Sequence, residues 1–529
     1  MGKKVYIFDS TLRDGSQAQG ISFSVLDKIK IAKKLDELGV DYIEAGNPNS
    51  NPKDREFFKE IKNIEFKNSK ICAFGSTRRP NVKAEDDKNL NDLVKSGVDT
   101  ISIFGKAWDF HVLDIIKTSL EENLNMISES IEYLVKQGKE VIFDAEHFFD
   151  GYKNNKEYAL KVLYTAKEAG AKWLVLCDTN GGTMTAEIHD ICSYLVSELE
   201  FNNLGIHCHN DCSMAVANSV TAVQDGVKHI QGTFTGFGER CGNANLSTII
   251  ANLQIKLDFK AIPEENLENL TAVYKYICEV SNVIPDDKEA YVGNFAFAHK
   301  GGMHIDAVNK NPVSFEHINP VLVGNERKIL MSEVAGRGTI LSMIKKIDPK
   351  LNKDSEATKA IMKKVKELEY EGYQFEGAEG SVELLVRKEL GVFKPSFELI
   401  EYKVIIDKPS ATEYSAAAVV KIMVNGVREV TAADGKGPVN ALDMALRKAL
   451  EVFYKDIANV YLTDYKVRVI SGNKATSAKV RVMIESTDGV STWTTVGVSY
   501  DIIEASWMAL VDSVEYKLIG YNKEEENNE

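Results

Sequence analysis

The stretch from Trp173 to Asn210 reads WLVLCDTNGGTMTAEIHDICSYLVSELEFNNLGIHCHN. It opens on a short apolar run, Trp173–Asp178, of strand length. An amphipathic pattern follows over Ala186–Leu199, with apolar residues recurring at three and four. A second apolar run, Leu204–Asn210, closes it. Strand, helix and strand in this order make one βαβ unit.

The unit recurs on both sides. Further strand candidates are Val5–Ser10, Tyr42–Gly46, Lys70–Gly75, Thr100–Gly105, Glu140–Glu146 and His229–Thr235. Helical patterns lie over Ser24–Leu38, Leu120–Lys136, Lys156–Ala169 and Met214–Asp225. Gly39, Gly97, Gly138, Gly170 and Gly226 fall where helix C-caps are expected. Eight strands, each followed by a helix, predict a (β/α)8 TIM barrel. No G-x-G-x-x-G follows the first strand, which argues against a doubly wound sheet.

At 529 residues the chain is too long for one ordinary domain. The barrel is expected over residues 1–265. A helical linker subdomain follows over 266–398, with Lys353–Glu369 strongly helical and 371–380 a loop. Residues 399–522 form an α+β regulatory domain built from two pseudo-symmetric repeats. Thr431, Ala433, Ala441, Ala445 and Leu446 recur 64 residues later as Thr495, Gly497, Ala505, Ala509 and Leu510. Each copy reads strand, strand, strand, helix, with Ala416–Val424 matching Thr476–Ile484. The acidic, Asn-rich tail over 523–529 is expected to be disordered.

Hydrophobic residues make up 44% and charged residues 27%, ordinary for a globular protein. A net charge of −14 without a Lys/Arg cluster argues against nucleic acid or an anionic membrane as partner. No apolar run reaches the roughly 18 residues that span a bilayer. Val5-Tyr6-Ile7-Phe8 leads straight into a polar motif, unlike a signal peptide. The seven cysteines follow no framework spacing, so a cytoplasmic protein with reduced thiols is expected. All nine histidines lie between His111 and His317, which places imidazole chemistry in the first three-fifths of the chain.

Barrel active sites lie at the C-terminal ends of the strands. Strand one ends in Asp9-Ser10-Thr11-Leu12-Arg13-Asp14-Gly15, strand two at Glu44 and strand five in Asp144-Ala145-Glu146. Strand six ends in Asp178-Thr179-Asn180-Gly181. Strand seven carries His207-Cys208-His209-Asn210-Asp211, and strand eight leads to Gly238-Glu239-Arg240-Cys241-Gly242-Asn243. Two positions apart on a strand, His207 and His209 face the same side. A lone histidine there would read as a core residue. A pair, with Asp14 and Asn243 arriving from neighbouring strands, reads as a divalent metal site. Mixed nitrogen and oxygen donors suit Zn, Mn, Fe or Co, with Mg also accommodated.

Thr11-Leu12-Arg13-Asp14-Gly15-Ser16-Gln17, the His-x-His segment and Gly238–Asn243 resemble the signatures of the isopropylmalate, homocitrate and citramalate synthases. These belong to the DRE-TIM metallolyases. Ile103-Phe104-Gly105-Lys106, Trp108 and Gly324-Asn325-Glu326-Arg327 resemble the citramalate-forming branch most. The resemblance implies a Claisen condensation of acetyl-CoA, as co-substrate, with pyruvate. It implies that Asp14, His207, His209 and Asn243 hold the metal, and that Arg13 stabilises the developing oxyanion. Glu44 would hold Arg13, while Thr179 and Asp144 would bind the keto acid. Glu146 matches the family base, and His304 a histidine contributed from the linker. A homodimer and feedback by isoleucine are also implied. The motivation for the effector is the repeat with its Gly-rich turns, Asp434–Gly437 and Val496–Ser499.

Three positions depart from the family pattern. Phe315 stands where Tyr is frequent, Gln19 where Glu is usual and Asn47 where Trp is usual. These bear on the acceptor more than on the reaction. The nearest alternative is the same chemistry on 2-ketoisovalerate or 2-ketoglutarate. Others are a retro-Claisen lyase of the hydroxymethylglutaryl-CoA type and a non-catalytic amino-acid sensor.

Overall fold

Eight parallel strands close into a barrel in chain order: β1 (Tyr6–Asp9), β2 (Tyr42–Gly46), β3 (Lys70–Ser76), β4 (Thr100–Lys106), β5 (Glu140–Glu146), β6 (Trp173–Asp178), β7 (Leu204–Cys208) and β8 (His229–Gly232). β8 returns to β1 in register from Tyr6↔His229 to Asp9↔Gly232. The computed structural model describes residues 2–299, 301–329, 343–352, 355–375, 377–406, 416–470, 478–489 and 491–526. The chain divides into two compact units, Met1–Phe297 with Ile318–Arg327, and Ala298–His317 with Lys328–Glu529.

Aromatic rings plug one end of the barrel. Phe8, Tyr42, Trp173 and His229 fill its interior near the strand starts, with ring centroids 5.2–5.9 Å apart. The Trp173 indole donates to the Tyr42 hydroxyl at 3.2 Å. Both His229 nitrogens lack a hydrogen-bond partner, and burial pushes this imidazole down to about 3. A packed floor leaves only the C-terminal mouth open for chemistry.

The surrounding helices carry their own stop and start signals. Ser24 and Asp27 cap helix Val25–Leu38 reciprocally, a device worth about 1 kcal/mol. Its inner face buries Ile31 and Leu35, each contributing about 2 kcal/mol by leaving water. All five glycines expected as caps have positive φ, and at Gly39 that conformation ends the helix. The helix expected over Ala186–Leu199 is Thr185–Ser193 followed by a π-turn, Tyr194–Glu198. The first unit continues past residue 265, because helix Leu270–Val280 buries Leu270, Val273 and Ile277 in the barrel's own core.

β7 stops at Cys208 rather than Asn210, and β8 at Gly232 rather than Thr235. His209 leaves the ladder and bridges Asn243 in antiparallel fashion. Ala244 N–H bonds the Cys208 carbonyl at 3.0 Å, and Asn210 N–H bonds that of Gly242 at 2.9 Å. The loop after β8 thus runs back along the end of β7.

The second unit carries the repeat. β9 (Glu398–Ile406), β10 (Ala416–Val424) and β11 (Val427–Gly435) form one antiparallel sheet, followed by helix Pro438–Leu450. β12 (Tyr461–Val469), β13 (Val480–Thr487) and β14 (Thr492–Ser499) form the other, followed by helix Ile502–Glu526. Thr431 Oγ1 donates to the Ala445 carbonyl at 2.7 Å, and Thr495 Oγ1 to that of Ala509 at 2.7 Å. Each sheet also has one irregularity, between Leu399 and Glu401 and between Leu462 and Asp464. The strand expected from Thr476 begins at Val480, and residues 471–477 lie outside those described. Val496–Ser499 is not a turn but the end of β14. Gly497 is needed there for close packing, since a Cβ would sit 2.1 Å from the Ala505 carbonyl oxygen. The last helix reaches Glu526, into the stretch expected as a tail. Among the described residues no helix is long and apolar enough to cross a membrane.

Candidate active site

The strand ends at the open mouth bring the polar motifs together. They line a cleft of about 260 Å3 that includes Arg13, Asp14, Asp144, Glu146, Thr179, His207 and His209. Phe74, Phe104 and Cys177 supply apolar walls.

Asp14, His207 and His209 converge at its base. His207 Nε2 lies 3.4 Å from His209 Nε2 and 3.3 Å from Asp14 Oδ2. His209 Nε2 lies 3.9 Å from the same oxygen. All three residues are buried. Asn243 stands beside them through its bridge to His209, and its buried Oδ1 has no hydrogen-bond partner. Three clustered ligand atoms, with an orphaned buried oxygen on the residue bridged to His209, fit a cation.

Two of the three groups are already in the state a cation needs, and His207 must release a proton to join them. Burial raises the Asp14 carboxyl, but Arg13 and the two imidazoles outweigh it and hold the group far below the usual carboxylate range. Burial, then the charge of His207, pushes His209 down to about 4. Burial would also lower His207, but the Asp14 carboxylate reverses this and holds it above its ordinary value. Asp14 ionised and His209 neutral are the protonation states that metal ligation requires.

Arg13 is fixed from three sides. Its Nε donates to Glu44 Oε2 at 2.6 Å, Nη1 lies 3.4 Å from Asp14, and the guanidinium covers Phe74 at 3.8 Å. Glu44 is fully buried and also accepts from Ser10 Oγ at 2.5 Å. Burial lowers the Arg13 affinity for its proton, but Glu44 and Asp14 raise it further, so the charge is permanent.

Asp144 accepts from Ser102 Oγ at 2.9 Å and Gln231 Nε2 at 2.8 Å. Burial and then the Glu44 charge raise its carboxyl to about 6. Thr179 Oγ1 accepts from the His147 amide at 2.9 Å, and its carbonyl accepts from Arg240 at 2.7 Å. His147 is held in a left-handed conformation, φ 58°. Glu146 pairs with Lys106, its register partner on β4. His304 belongs to the second unit, on helix Gly302–Lys310, where its ring stacks on Phe315 at 4.0 Å. Asn47 Oδ1 caps its own loop by accepting from the Asn49 and Ser50 amides.

Lys106 and Gln231 were not singled out from sequence. Each faces a predicted residue across a strand pair, Lys106↔Glu146 and His207↔Gln231. Neither pairing has a local signal in the sequence.

The closed barrel with this cleft at its C-terminal mouth defines the class, and the chain belongs to the HMGL-like family, whose model matches residues 4–277. Residues 291–372 match a homocitrate synthase post-HMGL domain-like model, and 376–518 a LeuA allosteric (dimerisation) domain. More narrowly, five relatives at 43–53% identity are (R)-citramalate synthases. That of Aquifex aeolicus is 53% identical, with 98% of each chain covered. That of Synechocystis is 49% identical over 97% of this chain and 96% of its own. A 2-isopropylmalate synthase of Methanocaldococcus jannaschii is 30% identical over 97% of this chain and 94% of its own.

Proposed function

We propose that the chain condenses acetyl-CoA with pyruvate to form (R)-citramalate and free CoA. The observation that carries this is the set of five (R)-citramalate synthases 43–53% identical over nearly the whole chain. The convergence of Asp14, His207 and His209 supports it from the site.

Asp14, His207 and His209, with Asn243, would hold a divalent ion, Mn, Mg or Zn. Once bound, that ion supplies Lewis acidity at the keto-acid carbonyl. Thr179 and Asp144 orient the keto acid. Glu146, aimed by Lys106, takes a proton from the acetyl methyl group. The resulting carbon attacks the ketone carbon, and the negative charge that moves onto the ketone oxygen meets the Arg13 guanidinium. Glu44 keeps Arg13 from swinging away. By the family resemblance, a histidine contributed from the linker, here His304, would serve as a second proton-transfer group. Water then cleaves the thioester, releasing CoA and a carboxylate, which drives the condensation forward.

The second unit would make the protein a homodimer and sense isoleucine, the end product of a route that starts from citramalate. Its likeness to the LeuA allosteric (dimerisation) domain supports this, as do Ile405, Ile406, Val467 and Val469, which lie exposed on β9 and β12. The free cysteines suit a cytoplasmic enzyme. The test is product analysis after incubation with acetyl-CoA, pyruvate and Mn. Chiral chromatography should show (R)-citramalate; its absence while CoA is released would refute the acceptor.

A further inference from the structure

His207 and His209 are supported unequally. His207 Nδ1 lies 2.9 Å from Gln231 Oε1, whereas His209 Nδ1 is buried with no partner. Gln231 is fully buried on β8, directly across from His207 in register. Its own orientation is not free. Nε2 donates to Asp144 Oδ1 at 2.8 Å, and the other Asp144 oxygen accepts from Ser102 Oγ at 2.9 Å.

A carboxylate only accepts, so Asp144 obliges the Gln231 amide to present its NH2 there and its oxygen to His207. An amide oxygen only accepts, so His207 carries its proton on Nδ1. In the neutral ring, the form a cation requires, the lone pair is then on Nε2, the atom that faces His209 and Asp14. The chain Ser102–Asp144–Gln231–His207 spans β4, β5, β8 and β7.

We propose that Gln231 is a positioning residue for the metal site: locked by Asp144 and Ser102, it fixes the tautomer and ring orientation of His207 before any ion binds. This rests on the reading of Asp14, His207 and His209 as metal ligands. Partners of this kind change metal affinity by about 10- to 100-fold. His209, lacking such a partner, is the ligand that adjusts.

The test is Mn2+ binding to the full-length, EDTA-treated protein, followed by loss of the free-ion EPR signal. Gln231→Met keeps the volume but removes the acceptor, and should weaken binding about 10- to 100-fold while the protein stays folded. Gln231→Glu restores an oxygen facing His207, the pair with Asp144 sharing one proton, and should recover most of the loss. Should Gln231→Met fail to fold, Ser102→Ala decides, with a smaller loss expected. Wild-type affinity in Gln231→Met, or in Ser102→Ala where that variant decides, overturns the proposal. So does a Gln231→Glu variant no better than Gln231→Met. A wild-type protein that binds no Mn2+ overturns the metal reading itself.

Discussion

The Nε2 atoms of His207 and His209 stand 3.4 Å apart, with one Asp14 oxygen 3.3 Å from the first and 3.9 Å from the second. Three buried groups aimed at one point repel unless a proton or a cation lies between them. Replacing His209 by Ala is expected to reduce turnover to background and to abolish Mn2+ binding. Isoleucine binding, measured calorimetrically on the same variant, should be retained, since the second unit has its own core.

Metal removal should lower the unfolding temperature of the barrel. An ion present at 100 times its Kd stabilises the folded state by about 2.7 kcal/mol. Differential scanning calorimetry of EDTA-treated protein, with and without Mn2+, checks this. Identical traces would mean the cluster binds no ion in the folded state.

Arg13 and Glu44 form a buried pair at 2.6 Å, so a positive charge alone does not replace the guanidinium. Arg13→Lys is expected to lower kcat by about 100- to 1000-fold with a smaller change in KM. Glu44→Gln should do the same more weakly, since Arg13 keeps its stacking on Phe74. Steady-state kinetics of both variants test the order.

His229 gives the barrel a defined acid sensitivity. Burial holds its imidazole at about 3 against an ordinary 6.5. Below pH 6.5 the unfolded chain takes up a proton that the folded one refuses, so stability falls as pH drops from about 6.5 to about 3. The slope is about 1.4 kcal/mol per pH unit. His229→Phe should flatten the dependence of stability on pH in that window, as read from urea melts. An unchanged slope would show that His229 accepts its proton in the folded state.

Thr431 and Thr495 make the same 2.7 Å bond to helix carbonyls in the two repeats. Thr431→Val and Thr495→Val should each cost about 1 kcal/mol in the second unit. CoA release by the barrel should be untouched in both.

Much of this was readable from the chain. β5 and β6 match their expected bounds because apolar runs end there on charged residues. Asp14, His207 and His209 meet as expected: the side-chain period of a strand puts the two histidines on one face, and the turn after β1 delivers Asp14. Register did not emerge: Lys106 and Gln231 gain their meaning only from the residue opposite, which a parallel sheet does not encode locally. β7 was read two residues too long, because His209 and Asn210 pair with the loop after β8 instead of a strand. Gly497 was read as a turn signal, whereas it makes room for a helix carbonyl.

Acceptor choice is the central claim, and thiol release from acetyl-CoA with Mn2+ tests it most directly. kcat/KM should be compared for pyruvate, 2-ketoisovalerate and 2-ketoglutarate. Pyruvate is predicted to exceed both others by 100-fold or more, on the order of two discriminating contacts. A higher value for either larger keto acid would keep the chemistry but contradict citramalate as the product.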